Sequence, residues 1–194
     1  MALRTTVRPV GGLITLEQAA RQCRIDFADD NEDLQDLILE ASEMVEALTQ
    51  RRFLTQTLEW VLDGWGDKMI LPIAPAGDVQ NIRVNSIKYL DLSGAQQTLD
   101  ASIYWARPYG PTLRIVKQWF QIWPWLGDGA ERVVINFSVT GDLSTVPPKV
   151  RRATRLLVSH WYENRDAVVG VDNRDSSAPL PWGVEEALSS ERWA

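Results

Sequence analysis

The spacing of apolar residues changes twice along this sequence of 194 residues, and the changes divide it into three stretches. Between Leu34 and Leu48 apolar residues recur every three or four positions, which predicts one long amphipathic helix. From Leu54 to about Thr140 they alternate with polar residues in β-branched and aromatic runs, which predicts strands. The helical spacing returns between Pro147 and Val168. We therefore expect an α+β fold in which a β-rich segment, residues 54–146, is inserted into a helical core.

Residues 14–53 and 147–168 make up the predicted helical core of two N-terminal helices and one long late helix. Thr15 and Gln18 fit a capping box, in which each side chain satisfies a free backbone donor, so the first helix is expected to start here. Acidic residues near position 30 start the second helix. The late helix begins with a Pro-Pro pair, where the missing N–H group of proline is harmless.

The inserted segment is expected to be an antiparallel sheet. Its strand-like runs are separated by turn signals such as Ser93-Gly94 and Gly127-Asp128-Gly129. No helical period intervenes between the runs, so the segment lacks the βαβ units of a parallel sheet. The clearest strand is the last one, in which apolar residues occupy every second position: Val133, Ile135, Phe137 and Val139.

Both ends of the chain are expected to lie outside these two parts. Residues 1–13 are short, basic and closed by two glycines, which is typical of a flexible arm. Residues 169–194 begin as a polar linker and continue as a docking tail with more apolar side chains than a solvated end needs: Leu180, Trp182, Val184, Leu188 and Trp193. We expect this tail to be loosely ordered alone, because so short a helix is marginal in water, and to dock onto a partner. The alternative is packing onto the helical core of its own chain.

Charged residues are segregated between two helices. From Asp26 to Glu46 the chain carries nine acids and no lysine or arginine. The acids include Asp29, Asp33 and Asp36. Four cations crowd the first two turns of the late helix, where the helix dipole favours acids by ~0.3–1 kcal/mol each: Lys149, Arg151, Arg152 and Arg155. This conflict predicts that the basic cluster contacts a partner, although a solvated face is the plainer interpretation of the acids.

Tryptophan is the one residue in marked excess, with nine copies. Three of them lie in the stretch Trp119–Trp125. Such a run could be a carbohydrate platform, a base-stacking surface, a protein contact or a loop that covers the open face of the small sheet. Together with the basic start of the late helix, this aromatic stretch could form a nucleic-acid-binding module, and we keep this as one of two candidate functions. A net charge of −6 argues against a protein that grips nucleic acid over its whole surface.

The sequence offers little for catalysis. His160 and Cys23 are the single histidine and the single cysteine, too few for a structural zinc site, and neither lies in a nucleophile signature. Phosphate-binding glycine loops and the hydrolase elbow are absent. We therefore expect no enzyme activity, no metal and no cofactor. The lone cysteine fits a reducing compartment, and the sequence has no signal-peptide pattern or long apolar run, so we expect synthesis in the cytoplasm and no membrane partner.

The end of the late helix carries the most specific motif of the sequence, which is His160-Trp161-Tyr162-Glu163-Asn164-Arg165. After a helix that starts with proline, this motif resembles the hallmark of the head-to-tail connector proteins of tailed phages. Further resemblances to that family follow in the same order along nearly the whole chain: Ile14-Thr15-Leu16-Glu17-Gln18-Ala19, Arg24-Ile25-Asp26, the helix from Glu40 to Thr49, Gln56-Thr57, Leu71-Pro72, Trp123-Pro124 and Leu180-Pro181. One departure is Asp142, since the family often has an aromatic residue after the glycine that ends the last strand.

The resemblance implies a helical core with an inserted β segment, assembled as a twelvefold ring beneath the portal at the capsid vertex. Double-stranded DNA would pass through the lumen without sequence specificity. The ring would join the portal protein to a tail-side connector or stopper protein, with the C-terminal tail docked onto the portal. The charged clusters would be subunit or DNA-channel contacts, and the family motif would be structural. The implied location is the head-to-tail interface of a virion, after assembly in the host cytoplasm.

Overall fold

The chain divides into two compact units, called here the β unit and the helical unit. The β unit contains Met1–Val10 and Arg52–Thr145, and the helical unit contains Gly11–Arg51 and Val146–Ala194. The computed structural model describes residues 1–25, 30–75, 77–164 and 183–193. Within these ranges, no helix is both long enough and apolar enough to cross a bilayer.

The described residues of the helical unit form four helices: α1 (Leu16–Cys23), α2 (Asn31–Thr49), α3 (Pro148–Glu163) and α4 (Val184–Ser189). The predicted capping box starts α1, because the Gln18 N–H donates to the Thr15 hydroxyl (3.2 Å) and the Thr15 N–H donates to the Gln18 side-chain oxygen (3.3 Å). Helix α2 stops at a left-handed Gln50. The two N-terminal helices and the long late helix predicted from apolar spacing are confirmed.

Helix α3 is the centre of the helical unit, since it packs against each of the other three helices. Its fully buried side chains recur at three- and four-residue spacing: Val150, Ala153, Thr154, Leu157 and Val158. Helix α2, which contacts α3, has a buried apolar stripe of its own: Leu34, Ile38, Ala41 and Val45. Burying each large aliphatic side chain contributes roughly 1.5–3 kcal/mol, so this shared core is the main source of stability in the helical unit.

The β unit is antiparallel throughout its described strand pairs, as predicted. Its five-stranded sheet has the order β1-β3-β10-β6-β7: β1 (Ala2–Val7), β3 (Gln56–Leu62), β10 (Val133–Val139), β6 (Ile82–Leu90) and β7 (Gln96–Thr98). A three-stranded sheet has the order β4-β9-β8: β4 (Met69–Ile70), β9 (Thr112–Lys117) and β8 (Tyr104–Tyr109). The remaining short elements are β2 (Arg51–Arg52), β5 (Ala74–Pro75) and a 3₁₀ turn (Val79–Asn81).

Strand β10 lies in the middle of the five-stranded sheet, between β3 and β6. Every second residue of β10 is apolar and fully buried: Val133, Ile135, Phe137 and Val139. On the opposite face Asn136 donates to the Glu59 carboxylate (3.3 Å) and accepts from the Asn85 side chain (2.9 Å). The alternation therefore places an apolar core on one face and cross-strand hydrogen bonds on the other, which confirms the predicted strand.

The prediction of a flexible arm over residues 1–13 is wrong for residues 2–7, which form the edge strand β1. It pairs with β3 from Ala2 opposite Val61 to Val7 opposite Thr57. The Arg4 guanidinium also pairs with the Glu131 carboxylate. Backbone hydrogen bonds along an open sheet edge order this segment, and they depend on a partner strand about fifty residues away rather than on local composition.

The turn between β6 and β7 is organised by the Asp91 carboxylate. Hydrogen bonds from the Ser93 hydroxyl, the Gln97 side chain and the Ala95 and Ser93 N–H groups lower the pKa of Asp91 to about 2. Because this pKa is below the unfolded value of ~3.9, the carboxylate stabilises the fold above about pH 4, and the contribution is lost as the pH falls through about 2.

Asp91→Asn should therefore weaken the acid dependence of stability of the β unit. Denaturant unfolding at several pH values between about 2 and 5 measures it, and the wild-type protein is expected to lose more stability across this range than the variant does. Asp128→Asn, an exposed aspartate in another turn of the same unit, is the matched control. Equal acid sensitivity of the wild-type protein and Asp91→Asn would show that the turn does not depend on this charge.

Candidate functional site

The motif at the end of α3 closes the helix. Asn164 is the C-terminal cap: its N–H donates to the His160 carbonyl (3.1 Å), and its side-chain amide donates to the same oxygen (2.7 Å). Tyr162 donates its hydroxyl to the Asp30 carboxylate next to the start of α2. Helix α3 is therefore fastened at its C-terminal end by polar contacts as well as by apolar packing. Arg165 lies outside the described residues.

Trp161 and Asn164 border a groove along α2, which we call the acidic groove. Its volume is about 460 Å³, and α2 supplies the rest of its lining: Asp33, Asp36, Leu37 and Glu40. The three carboxylate side chains are on exposed residues, and Trp161 is half-buried. The structure thus places Asp33 and Asp36 beside Trp161 and Asn164 of the family motif. The sequence did not predict this proximity, because the two groups are more than 120 residues apart along the chain. Asp29 lies outside the described residues.

The four cations of the α3 start do not form one exposed patch. Lys149 and Arg152 are exposed, whereas Arg151 and Arg155 are half-buried. The Lys149 ammonium donates to the Ser190 hydroxyl just after α4 (2.9 Å). The Arg155 Nε atom is buried and has no hydrogen-bond partner among the residues that the structure describes. Arg152 is therefore the member of the cluster that is best placed to meet another molecule.

The described part of the tail packs on its own helical unit. Val184 and Leu188 of α4 are fully buried, and α4 contacts α3 and α2. The Trp193 N–H donates to the Thr49 carbonyl (3.0 Å), and Glu191 lies 4.0 Å from the Arg51 guanidinium. The expected loose order of the tail is wrong for residues 183–193, because burial against α3 supplies the stabilisation that a helix of six residues lacks alone. Docking of the tail onto a partner stays a prediction. Leu180 and Trp182 lie outside the described residues.

The aromatic stretch after β9 separates into inward and outward side chains. Trp123 stacks on Trp65, with ring centroids 4.7 Å apart and planes at 9°. Trp65 in turn donates its indole N–H to the Pro124 carbonyl (2.8 Å). Three side chains point outward and are 75%, 101% and 78% exposed, in the order Trp119, Phe120 and Ile122. We call these three the aromatic platform. Trp123 behaves as predicted for a loop that covers the sheet, because it packs against the core of the β unit. The three platform residues do not, because they are exposed.

A second groove, of about 540 Å³, lies beside the aromatic platform. Strands β8 and β9 supply its other wall, with Trp105 and Arg107 from one strand and Lys117 from the end of the other. The Arg107 guanidinium lies 4.1 Å from the centre of the Trp105 ring, a cation–π contact. The cations Arg107 and Lys117 are exposed. The β unit thus presents apolar side chains bordered by positive charge.

The described residues contain no group of three or more His, Cys, Asp and Glu side chains that could hold a metal ion. Burial and, to a smaller extent, the Glu163 carboxylate raise the pKa of the Cys23 thiol. A raised pKa disfavours the thiolate, which is the nucleophilic form of cysteine. The two surfaces that stand out among the described residues are the acidic groove and the aromatic platform with its neighbouring cations.

The fold of this chain is similar to that of chains in solved structures of gene transfer agent particles. A chain in the neck of an empty gene transfer agent (GTA) particle, computed with C6 symmetry, and a chain in the virion of the native GTA particle each match with a TM-score of 0.74 and 21% identity, over 100% of this chain and 96% of theirs. A chain in the neck of the native GTA particle, computed with C12 symmetry, matches with a TM-score of 0.65 and 22% identity, over 97% of this chain and 96% of that one. The α+β fold implied by the resemblance is confirmed. No protein-family model and no curated protein matches the sequence.

Proposed function

We propose that this protein is a structural component of a virion neck, where it forms an adaptor ring between the portal at the capsid vertex and the tail. The observation that carries the proposal is the fold match over the full chain with neck proteins of GTA particles. The neck structures were computed with C6 and C12 symmetry, and such cyclic symmetry is that of closed rings. The motif from His160 to Arg165 supports the same conclusion, because it resembles that of connector proteins of tailed phages.

In the proposed ring each copy meets its neighbour through two different surfaces, and double-stranded DNA passes through the lumen without sequence specificity. The partners are the portal protein on one side and a tail-side connector or stopper protein on the other. Arg152 is the strongest candidate of the basic cluster for a neighbour or channel contact, since it is exposed. The proposed portal contacts of the tail are Leu180, Trp182 and Trp193, whereas Val184 and Leu188 are fully buried and would support the position of α4.

Electron microscopy of the purified full chain mixed with its portal protein tests this function. We expect rings of one stoichiometry, coaxial with the portal, and twelvefold symmetry in averaged end views. Arg152→Glu should leave the fold intact and change either ring formation or DNA retention, and the exposed Arg83→Glu in the β unit is the matched control.

The alternative function is a nucleic-acid-binding module, for which the exposed aromatic platform with its neighbouring cations is the favourable observation. DNA binding measured at several salt concentrations separates the two functions. A DNA-binding module loses affinity steeply as salt rises, because released counterions drive its binding, whereas an adaptor with a net charge of −6 should bind weakly at every salt concentration. Tight, salt-dependent binding without any ring on the portal would contradict the adaptor proposal.

A further inference from the structure

The segment that carries the aromatic platform is anchored at both ends, although its side chains are exposed. At one end, the Gln118 N–H donates to the Ile103 carbonyl (2.9 Å) and its side chain donates to the Tyr104 carbonyl (3.1 Å). At the other end, Trp123 stacks on Trp65. Phe120 between them has a φ of 62°, a left-handed conformation that is rare for an aromatic residue. These contacts restrict the backbone between them, which lowers the conformational entropy that is lost when another surface covers the platform.

The platform is large for a surface that stays in water. Three side chains of this size expose on the order of 400 Å² of mostly apolar area, which is within the range of the largest patch on an ordinary monomer and is often functional. That area is about half of one side of a standard protein–protein interface. The platform residues line one side of a groove that is open to solvent rather than an enclosed cavity, and this open shape suits a protein surface better than a small ligand.

Charge indicates which protein surface fits. The β unit carries ten basic and nine acidic residues, whereas the helical unit carries ten basic and seventeen acidic residues. The exposed cations beside the platform are Arg107 and Lys117. The acidic groove offers the opposite sign, with Asp36 and Glu40, next to the indole of Trp161. An apolar surface bordered by cations and a groove of carboxylates with an aromatic wall are complementary in both charge and apolar character.

We infer that the aromatic platform of one copy binds the acidic groove of the next copy, so that these two surfaces form the contact between neighbouring subunits. This inference rests on the proposed ring and names the surfaces that build it. The contact joins two different patches, which is the heterologous type that closes a ring. It also explains how copies with a net charge of −6 can assemble, because the positive border of each platform offsets the acids of its neighbour.

Sedimentation velocity of the full chain over a range of concentrations tests the apolar part of the contact. Phe120→Asn removes the protruding ring, and asparagine tolerates the left-handed backbone at this position. Self-association should weaken at least tenfold, as expected for an aromatic residue at the centre of an interface. Leu92→Asn is the matched control, since Leu92 is 74% exposed in the same unit but lies outside the platform. Equal weakening by both substitutions overturns the inference, as does a wild-type protein that stays monomeric at about 1 mM.

Charge reversal tests the pairing of the two surfaces. A first double variant, Arg107→Glu with Lys117→Glu, makes the border of the platform acidic. A second, Asp36→Lys with Glu40→Lys, makes the groove basic. Each double variant should self-associate at least tenfold more weakly than the wild-type protein. The variant with all four changes should recover most of the lost association, and its recovery should decrease at high salt. Failure to recover, in a chain whose melting curve is unchanged, overturns the inference. Loss of DNA binding alone, with self-association intact, overturns it in favour of a base-stacking role.

The test of the adaptor ring and the test of the inferred subunit contact can fail independently of each other. Rings on the portal that form equally well with Phe120→Asn would contradict only the inferred contact and leave the adaptor function standing. Self-association that depends on the platform, in a protein that never joins the portal, would support the contact and contradict the adaptor function.

Discussion

Leu188→Ala should lower the free energy of unfolding of the helical unit by about 2–5 kcal/mol, the range for truncating a fully buried leucine. Leu188 is 0% exposed in α4, which packs against α3 and α2. Unfolding in denaturant, followed by circular dichroism, measures the change. Glu185→Ala is the matched control, because this exposed residue lies one turn earlier on the same helix, and its effect should stay within about 0.5 kcal/mol.

A Leu188→Ala effect no larger than that of Glu185→Ala would mean that α4 detaches readily and would restore the interpretation of the whole tail as a docking element. The expected large effect would instead divide the tail by function. Residues 183–193 would then belong to the fold. Portal contacts would have to come from the preceding residues of the tail or from Trp193, which is only half-buried. Loss of portal binding without loss of stability is therefore expected from Trp182→Ala and not from Leu188→Ala.

The parts of the fold that the sequence predicts are those specified by local patterns. Alternation in β10 is visible because its inward residues pack on a single core, so the period of two survives in the sequence. The capping box of α1 is local by construction, since Thr15 and Gln18 satisfy each other's backbone groups. Helix α3 shows its period because one side is buried against its neighbours, while its first two turns keep Lys149 and Arg152 exposed.

The parts that escape prediction depend on partners distant in sequence. Strand β1 forms on the edge of β3, and nothing within residues 2–7 indicates that edge. Helix α4 is too short to be recognised by periodicity, and its order comes from α3. The candidate surfaces show the same limit, because composition marks an aromatic stretch and an acidic helix, whereas only the fold separates the inward Trp123 from the exposed Phe120 and brings Trp161 beside Asp36.

Gly141 is the point where the end of the sheet is tied to the segment that precedes β3. The Thr55 N–H donates to the Gly141 carbonyl (3.0 Å), and the Thr55 hydroxyl accepts from the Gly141 N–H (3.1 Å). A side chain has no room there, because a Cβ atom at position 141 would lie 2.1 Å from the Phe53 carbonyl oxygen. Phe53 is fully buried, so its backbone cannot move aside without disturbing the core.

Gly141→Ala should therefore destabilise the β unit by at least ~2 kcal/mol, since overpacking against backbone is relieved only by shifting the strand end and its hydrogen bonds to Thr55. Gly64→Ala is the matched control, because a Cβ atom there would have its nearest neighbour at 3.6 Å, an ordinary contact. Thermal unfolding of both variants, with hydrogen exchange at the end of β10 as a local measurement, distinguishes them. If Gly141→Ala and Gly64→Ala melted together, the close approach between residue 141 and Phe53 would not be a constraint on the fold. A large difference would identify Gly141 as a position where the geometry of the strand end excludes every side chain.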